Sequence, residues 1–266
     1  MLRQWNPSLA LADGSRYLFA VPVPDKSVSS HAPLSNRLRR FLYVTAAFNG
    51  AAILVVEILG AKMLSPYFGT SHFVWTAQIA VTLVSLAVGY WFGGRLADRA
   101  PDLRHLYRCM LLAALYLALT VPLVKTVSFA ALKLNLATGS IVAALFLFFV
   151  PLTLLAVTGP FLSRVLIRTT TESGGVVGRI SAVSTFGSVG GTLLIAYVLI
   201  PLLPNSVTML VTSGLLAVLS CGYLFSLKSI PKSGPVAVLI ILIPVMVVGA
   251  RKGDGGAMPG FREIAR

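Results

Sequence analysis

The sequence predicts an all-α, polytopic membrane helix bundle with about seven transmembrane helices. Three observations predict it. Of the 266 residues, 56% are hydrophobic and only 11% charged, where an average soluble domain carries roughly a quarter charged residues. Apolar runs of the length a bilayer requires, about 20 residues, recur along the chain. Lys and Arg collect in alternate connecting segments, as they do in membrane proteins of fixed orientation. Eight carboxylates and 22 basic residues are too few to coat a water-soluble globule of this size, so a soluble enzyme is excluded. The net charge of +14 belongs to cytoplasmic loops and anionic headgroups and gives no evidence for nucleic acid.

Residues 1–40 form a basic N-terminal tail, with Arg3, Arg16, Lys26, Arg37, Arg39 and Arg40 against Asp13 and Asp25. Its apolar patch from Tyr17 to Val23 is interrupted by Pro22 and followed by Pro24, so it is no signal-peptide core. The bundle occupies 41–250. Its spans are expected at 41–61 with Glu57 as the sole charge, at 73–94, at 106–124 with Pro122 near the end, and at 138–157 with apolar character continuing to Ser163. The long uncharged run that follows is split by Pro201, Pro204 and Asn205 into 178–202 and 207–226. A short last candidate, 235–250, contains Pro244, and residues 251–266 form a polar C-terminal tail.

With the N-terminus inside, 15 of the 22 basic residues fall on the inner side, and only Lys62, Lys125 and Lys133 fall on outer loops. The expected location is a bacterial cytoplasmic (inner) membrane. Seven spans put the C-terminal tail outside, where Arg251, Lys252, Arg262 and Arg266 fit the charge rule poorly.

In lipid, helices associate through small residues that let backbones approach. The fifth span carries Ser184, Gly187, Ser188, Gly191 and Thr192, and the second carries Ser85, Gly89 and Gly93. Two readings stand side by side: packing within the bundle, or a close interface with a partner subunit.

Glu57 is the one acid within a span. A carboxylate there is costly and faces protein or a water-filled cavity, which makes it a candidate cation or proton site. The alternative places it near the outer interface, paired with Lys62 or hydrogen-bonded to the second span. Arg95, Asp98 and Arg99 close the second span, and Arg164 and Arg179 lie on the same side. They form either a conformational switch or a static interfacial bridge. Tyr67, Phe68, His72, Phe73 and Trp75 read as an interfacial aromatic belt, or else as an aromatic pocket for an organic cation such as a polyamine. His31, His72 and His105 are scattered, and Cys109 and Cys221 make no metal or redox pattern. No metal, cofactor or catalytic set is expected.

Two stretches resemble the major facilitator superfamily. Gly94-Arg95-Leu96-Ala97-Asp98-Arg99 is similar to that superfamily's Gly-x-Leu-Ala-Asp-Arg loop, and Gly178-Arg179 opens a glycine-rich fifth helix. The resemblance implies a six-helix half of such a transporter plus an extra segment, with Asp98 and its arginines fastening neighbouring helices. Four stretches together carry a closer resemblance: Glu57 to Gly69 with Trp75, Gly89 to Asp98, Gly159 to Arg164, and Val177 to Thr192. Over roughly 41–226 they resemble the membrane domain of bacterial fused transporter/spermidine synthase proteins. In the fused members a soluble aminopropyltransferase-like domain follows the membrane helices. Here 16 residues follow the last apolar run and no βαβ nucleotide-binding pattern is present, so transferase chemistry is not expected from this chain.

Three functions follow as expectations. The favoured one is a non-catalytic accessory or scaffold subunit of a larger membrane assembly, with lipids and other membrane subunits, or a second copy, as partners. The others are a half-transporter for a small organic or cationic solute, and a membrane anchor for a separate spermidine-synthase-like enzyme.

Overall fold

The computed structural model describes residues 35–167 and 173–226; the tails, the 168–172 connection and the seventh candidate span, 235–250, lie outside them. The described chain is a bundle of helices with no strand among them. The helices are α1 (Asn36–Phe68), α2 (His72–Arg99), α3 (Leu103–Ala131), α4 (Leu136–Ala156), α5 (Thr158–Leu166), α6 (Ser173–Leu194), α7 (Ile200–Leu202) and α8 (Asn205–Ser226), with a π-helical turn, Ile195–Leu199, between α6 and α7. Joined end to end where they continue one another, they make six segments long and apolar enough to cross a membrane. This is a membrane protein.

Several helix boundaries have a local cause. α1 runs through Pro66 and stops where Gly69 adopts φ +76°, a conformation open to glycine at no steric cost. α2 ends at the Ala100-Pro101 step, because the residue before a proline is held out of the α region; Ala100 sits at φ −146°. Asp102 caps α3 by accepting from the Arg104 N–H at 2.9 Å, and Asn135 caps α4 by accepting from the Thr138 N–H at 2.9 Å.

The fourth span continues past 157 to Leu166, close to the apolar run's end at Ser163. It breaks at Val157 into α5, where Pro160 has no N–H to offer the preceding turn. The third span extends further than 106–124, because α3 continues through Pro122 to Ala131. In the fifth span Pro201 cannot donate back to the preceding turn. The ladder slips to wider spacing there, with Ile200 N–H bonded to Ile195 O.

Packing follows a regular plan. α1 lies along α6 and α2 lies along α4, while α3 packs against both α4 and α8. α1 and α4 also meet near the middle, so one apolar core runs through the bundle, from Leu42 and Leu59 to Phe148, Leu152 and Phe161. Coverage is uneven. In the fifth span, Ser173–Leu202, 11% of the apolar window is buried inside the chain, against 39–56% in the other five. Phe186, Tyr197 and Leu202 of that span are all more than 70% exposed.

Candidate functional site

The small residues lie where backbones meet. A side chain added at Gly187 would collide with the Ala47 carbonyl of α1, and one at Gly191 would come within 2.8 Å of Ala51. From the other side, Gly50 of α1 lies against the Ser184 carbonyl. Gly89 backs onto Thr153 and Ala156, and Gly93 comes within 2.8 Å of Val157. Ser85 is fully buried and donates to the Val81 carbonyl of its own helix at 2.6 Å; Ser188 donates to Ser184 O at 3.1 Å. Ser85, Gly89, Gly93, Ser184, Gly187 and Gly191 all make contacts within the chain.

The outward side of the fifth span is different. Gly174, Gly175, Gly178 and Gly190 face open space. Thr185, Ser188 and Thr192 line a shallow groove of about 210 Å³ with Leu54, Val189 and Leu193. That is below the few hundred Å³ of a typical small-molecule pocket, and its lining comes from α1 and α6.

Glu57 is half-buried on α1, three turns before the helix ends at Phe68. Neither expected partner engages it. The ion pairs among the described residues are Arg104–Asp102 and Arg164–Asp98, and no hydrogen bond to the second span is formed. Lys62 is exposed and, five residues on, projects from a different face of α1.

One turn beyond Glu57, Gly60 supports Gln78 of α2, whose carboxamide lies 2.7 Å from where a Cβ would stand. Gln78 is fully buried, and both its polar atoms lack a hydrogen-bond partner, a costly arrangement away from water. Thr82, one turn on, bonds back to Gln78 O at 2.9 Å. Asn49 donates to Leu155 O at 3.1 Å and so ties α1 to α4, leaving its own oxygen unpaired. Attention to charge alone passes over Gln78 and Asn49; a carboxamide inside an apolar run was the signal that could have found them.

At the α2–α3 end the charge cluster is only partly assembled. Arg164 Nε approaches Asp98 Oδ1 at 3.2 Å, joining the ends of α2 and α5. Arg95 turns to the Trp91 ring, 3.8 Å from its centroid. Arg99 and Arg179 are exposed, and neither pairs with Asp98. Nearby, Tyr107 stacks on Tyr223 at 4.1 Å and shares a hydrogen bond with Thr45 at 3.0 Å, so α1, α3 and α8 are clamped together.

At the opposite end, Tyr67 meets Phe129 edge-on at 5.5 Å, and His72 lies against Phe73 at 4.1 Å. Phe73 and Trp75 are exposed while Phe68 is buried. The group is therefore spread around the bundle and does not converge on one cage. Among the described residues no group of His, Cys, Asp and Glu is placed to hold a metal ion. Comparison with protein-family models, characterised proteins and solved structures found no match to this chain.

Proposed function

We propose that the protein is a non-catalytic accessory or scaffold subunit of a larger assembly in a bacterial cytoplasmic membrane, with its N-terminus inside. The observation that carries this reading is the two-sided fifth span. One side uses Ser184, Gly187 and Gly191 to lie against α1, while Gly178, Thr185 and Gly190 face away from the bundle. Small residues are used in membranes where helices approach closely. Lipid alone needs no such surface, and leucines would serve it as well. The spans also offer a single carboxylate and no metal-binding cluster among the described residues, which leaves hydrolytic or transfer chemistry without its usual groups.

The test is site-specific cross-linking in native membranes. A photo-reactive residue at Val189, which is 52% exposed, is expected to give one discrete product with another membrane subunit, whereas one at buried Leu147 gives none. Smears or lipid adducts alone from Val189 would rule the reading out.

The half-transporter remains the second reading because of one observation, the unpaired Glu57 inside the bundle. Transporters of that kind build the solute site between two halves. Solute uptake by reconstituted protein, abolished in Glu57→Ala, would establish it.

A further inference from the structure

We infer that Glu57 and the α1–α6 groove receive a membrane-spanning helix of a partner, and that this helix carries a Lys or Arg at the depth of Glu57. The inference rests on the accessory-subunit reading and specifies the chemistry of its partner.

Position is the first support. Gly187 lies against Ala47 and Gly191 against Ala51, so α1 and α6 run parallel in a fixed register. Glu57 lies less than two turns beyond Ala51 on α1, past the close α1–α6 approach. Leu54, which lines the groove with Thr185, Ser188 and Thr192, is one turn from Glu57 on the same helix. The three hydroxyls recur at helical spacing along one edge. A helix laid along this seam would meet small and hydroxyl-bearing residues first and the carboxylate at the far end.

Charge is the second support. A carboxylate in hydrocarbon without a counter-charge costs several kcal/mol by any scale, and nothing in the described chain supplies one. Across the expected spans the Lys and Arg are Arg108 near the start of the third and Arg179 at the start of the fifth, both at the end of the bundle away from Glu57. Lys62 faces elsewhere, and Lys125 and Lys133 flank the end of α3. A second copy lying in the same orientation would bring Arg108 and Arg179 at that far end and no cation at the depth of Glu57, so parallel self-association leaves Glu57 unanswered. A cationic span from a different protein answers it, and docking between spans is where such a charge is tolerated.

The test reconstitutes the full chain, fluorescently labelled, in phosphatidylcholine vesicles with single-span leucine peptides. One peptide is wholly apolar, one carries a Lys at the depth of Glu57, and one carries a Glu there. Energy transfer is expected to report association of the Lys peptide about tenfold or more stronger than that of the apolar peptide. Glu57→Gln should erase the preference, Glu57→Asp should keep it, and Glu57→Lys should transfer it to the Glu peptide. Helical content and monodispersity in detergent check each variant. Should Glu57→Gln misfold, the same comparison is made on the unmodified protein with the peptide Lys moved one turn, which should weaken association.

Equal association of the Lys and apolar peptides overturns the inference, as does a preference that survives Glu57→Gln. If both peptides then bind equally and Thr185→Trp displaces both, the docking face stands and only the charge assignment falls. If no peptide binds, the inference falls, and the cross-linking from Val189 decides the subunit reading separately. Uptake of tetraethylammonium by the chain alone, lost in Glu57→Gln, overturns the inference in favour of a solute site.

Discussion

At the scale of single residues, the fifth span contains its own control. Gly187 and Gly190 are three positions apart in one helix, yet they face different surroundings. A Cβ at Gly187 strikes the Ala47 backbone, which cannot move aside without shifting α1, while a Cβ at Gly190 meets nothing within 4 Å. Overpacking of a tight contact costs about 1–3 kcal/mol, and glycine in mid-helix is itself about 0.5–1 kcal/mol worse than alanine. Gly187→Ala is therefore expected to lower the thermal midpoint of the detergent-solubilised protein, and Gly190→Ala to leave it level or raise it slightly. Thermal unfolding followed by circular dichroism checks both. Equal effects would mean that the α1–α6 approach is looser than described. The subunit reading adds a second readout: Gly190→Leu should reduce the cross-link from Val189 without changing stability, since that residue faces outward.

At the scale of elements, the helices themselves were legible and their ends less so. Of the seven apolar runs, six correspond to helices long and apolar enough to span, because hydrocarbon thickness sets that length, and the seventh, 235–250, lies outside the described residues. The ends moved because each span was set at about the length hydrocarbon needs, while the helices run on beyond it. Pro66 and Pro122 lie within α1 and α3, and Pro160 marks a break between α4 and α5 with the chain still helical beyond it. In a bundle, neighbouring helices can compensate for the bond that proline removes. Spacing alone identified the small residues that join α1 to α6 and α2 to α4. It could not tell Arg164 from Arg179 as the partner of Asp98, because that choice depends on how α5 turns after Val157. It also missed Gln78, since an uncharged side chain barely alters the apolar signal of a span.

The Asp98–Arg164 pair allows a test at this scale. Its side chains are 72% and 56% exposed, and exposed pairs are worth about 0–1 kcal/mol and are screened by salt. A double-mutant cycle with Asp98→Asn and Arg164→Gln should give a coupling within that range, shrinking between low and high salt. A coupling several times larger would reveal a switch that holds α2 and α5 in one of two states. A small one makes the bridge a static tie.

At the scale of the whole molecule, the question is which way the bundle lies in the membrane, and here sequence and structure bear on one answer from different sides. The charge asymmetry is a statement about loops and presupposes that the ends of successive spans share a side. The structure supplies that condition independently. The Asp98–Arg164 contact joins the end of α2 to the end of α5, and Tyr107 near the start of α3 stacks on Tyr223 near the end of α8. The same end therefore gathers Arg95, Arg99, Arg104, Arg108 and Arg164, with Arg37, Arg39 and Arg40 at the start of α1 and Arg179 near the start of α6, while the other end has Lys62, Lys125 and Lys133. With the N-terminus inside, as proposed, the retention of Lys and Arg in the cytoplasm puts the arginine end inward. Glu57, being nearer the α1–α2 turn, then lies in the outer half of the bilayer. A membrane-impermeant thiol reagent applied to intact cells tests this. After Cys109 and Cys221 are replaced by alanine, single cysteines at Thr70, Leu134 and Pro204 should react from outside. Those at Pro101 and Ile167 should react only after permeabilisation. The reverse pattern would invert the molecule and move the partner's cation to the inner leaflet. Reaction of both sets in intact cells would mean mixed insertion, which a subunit with one docking face could not tolerate.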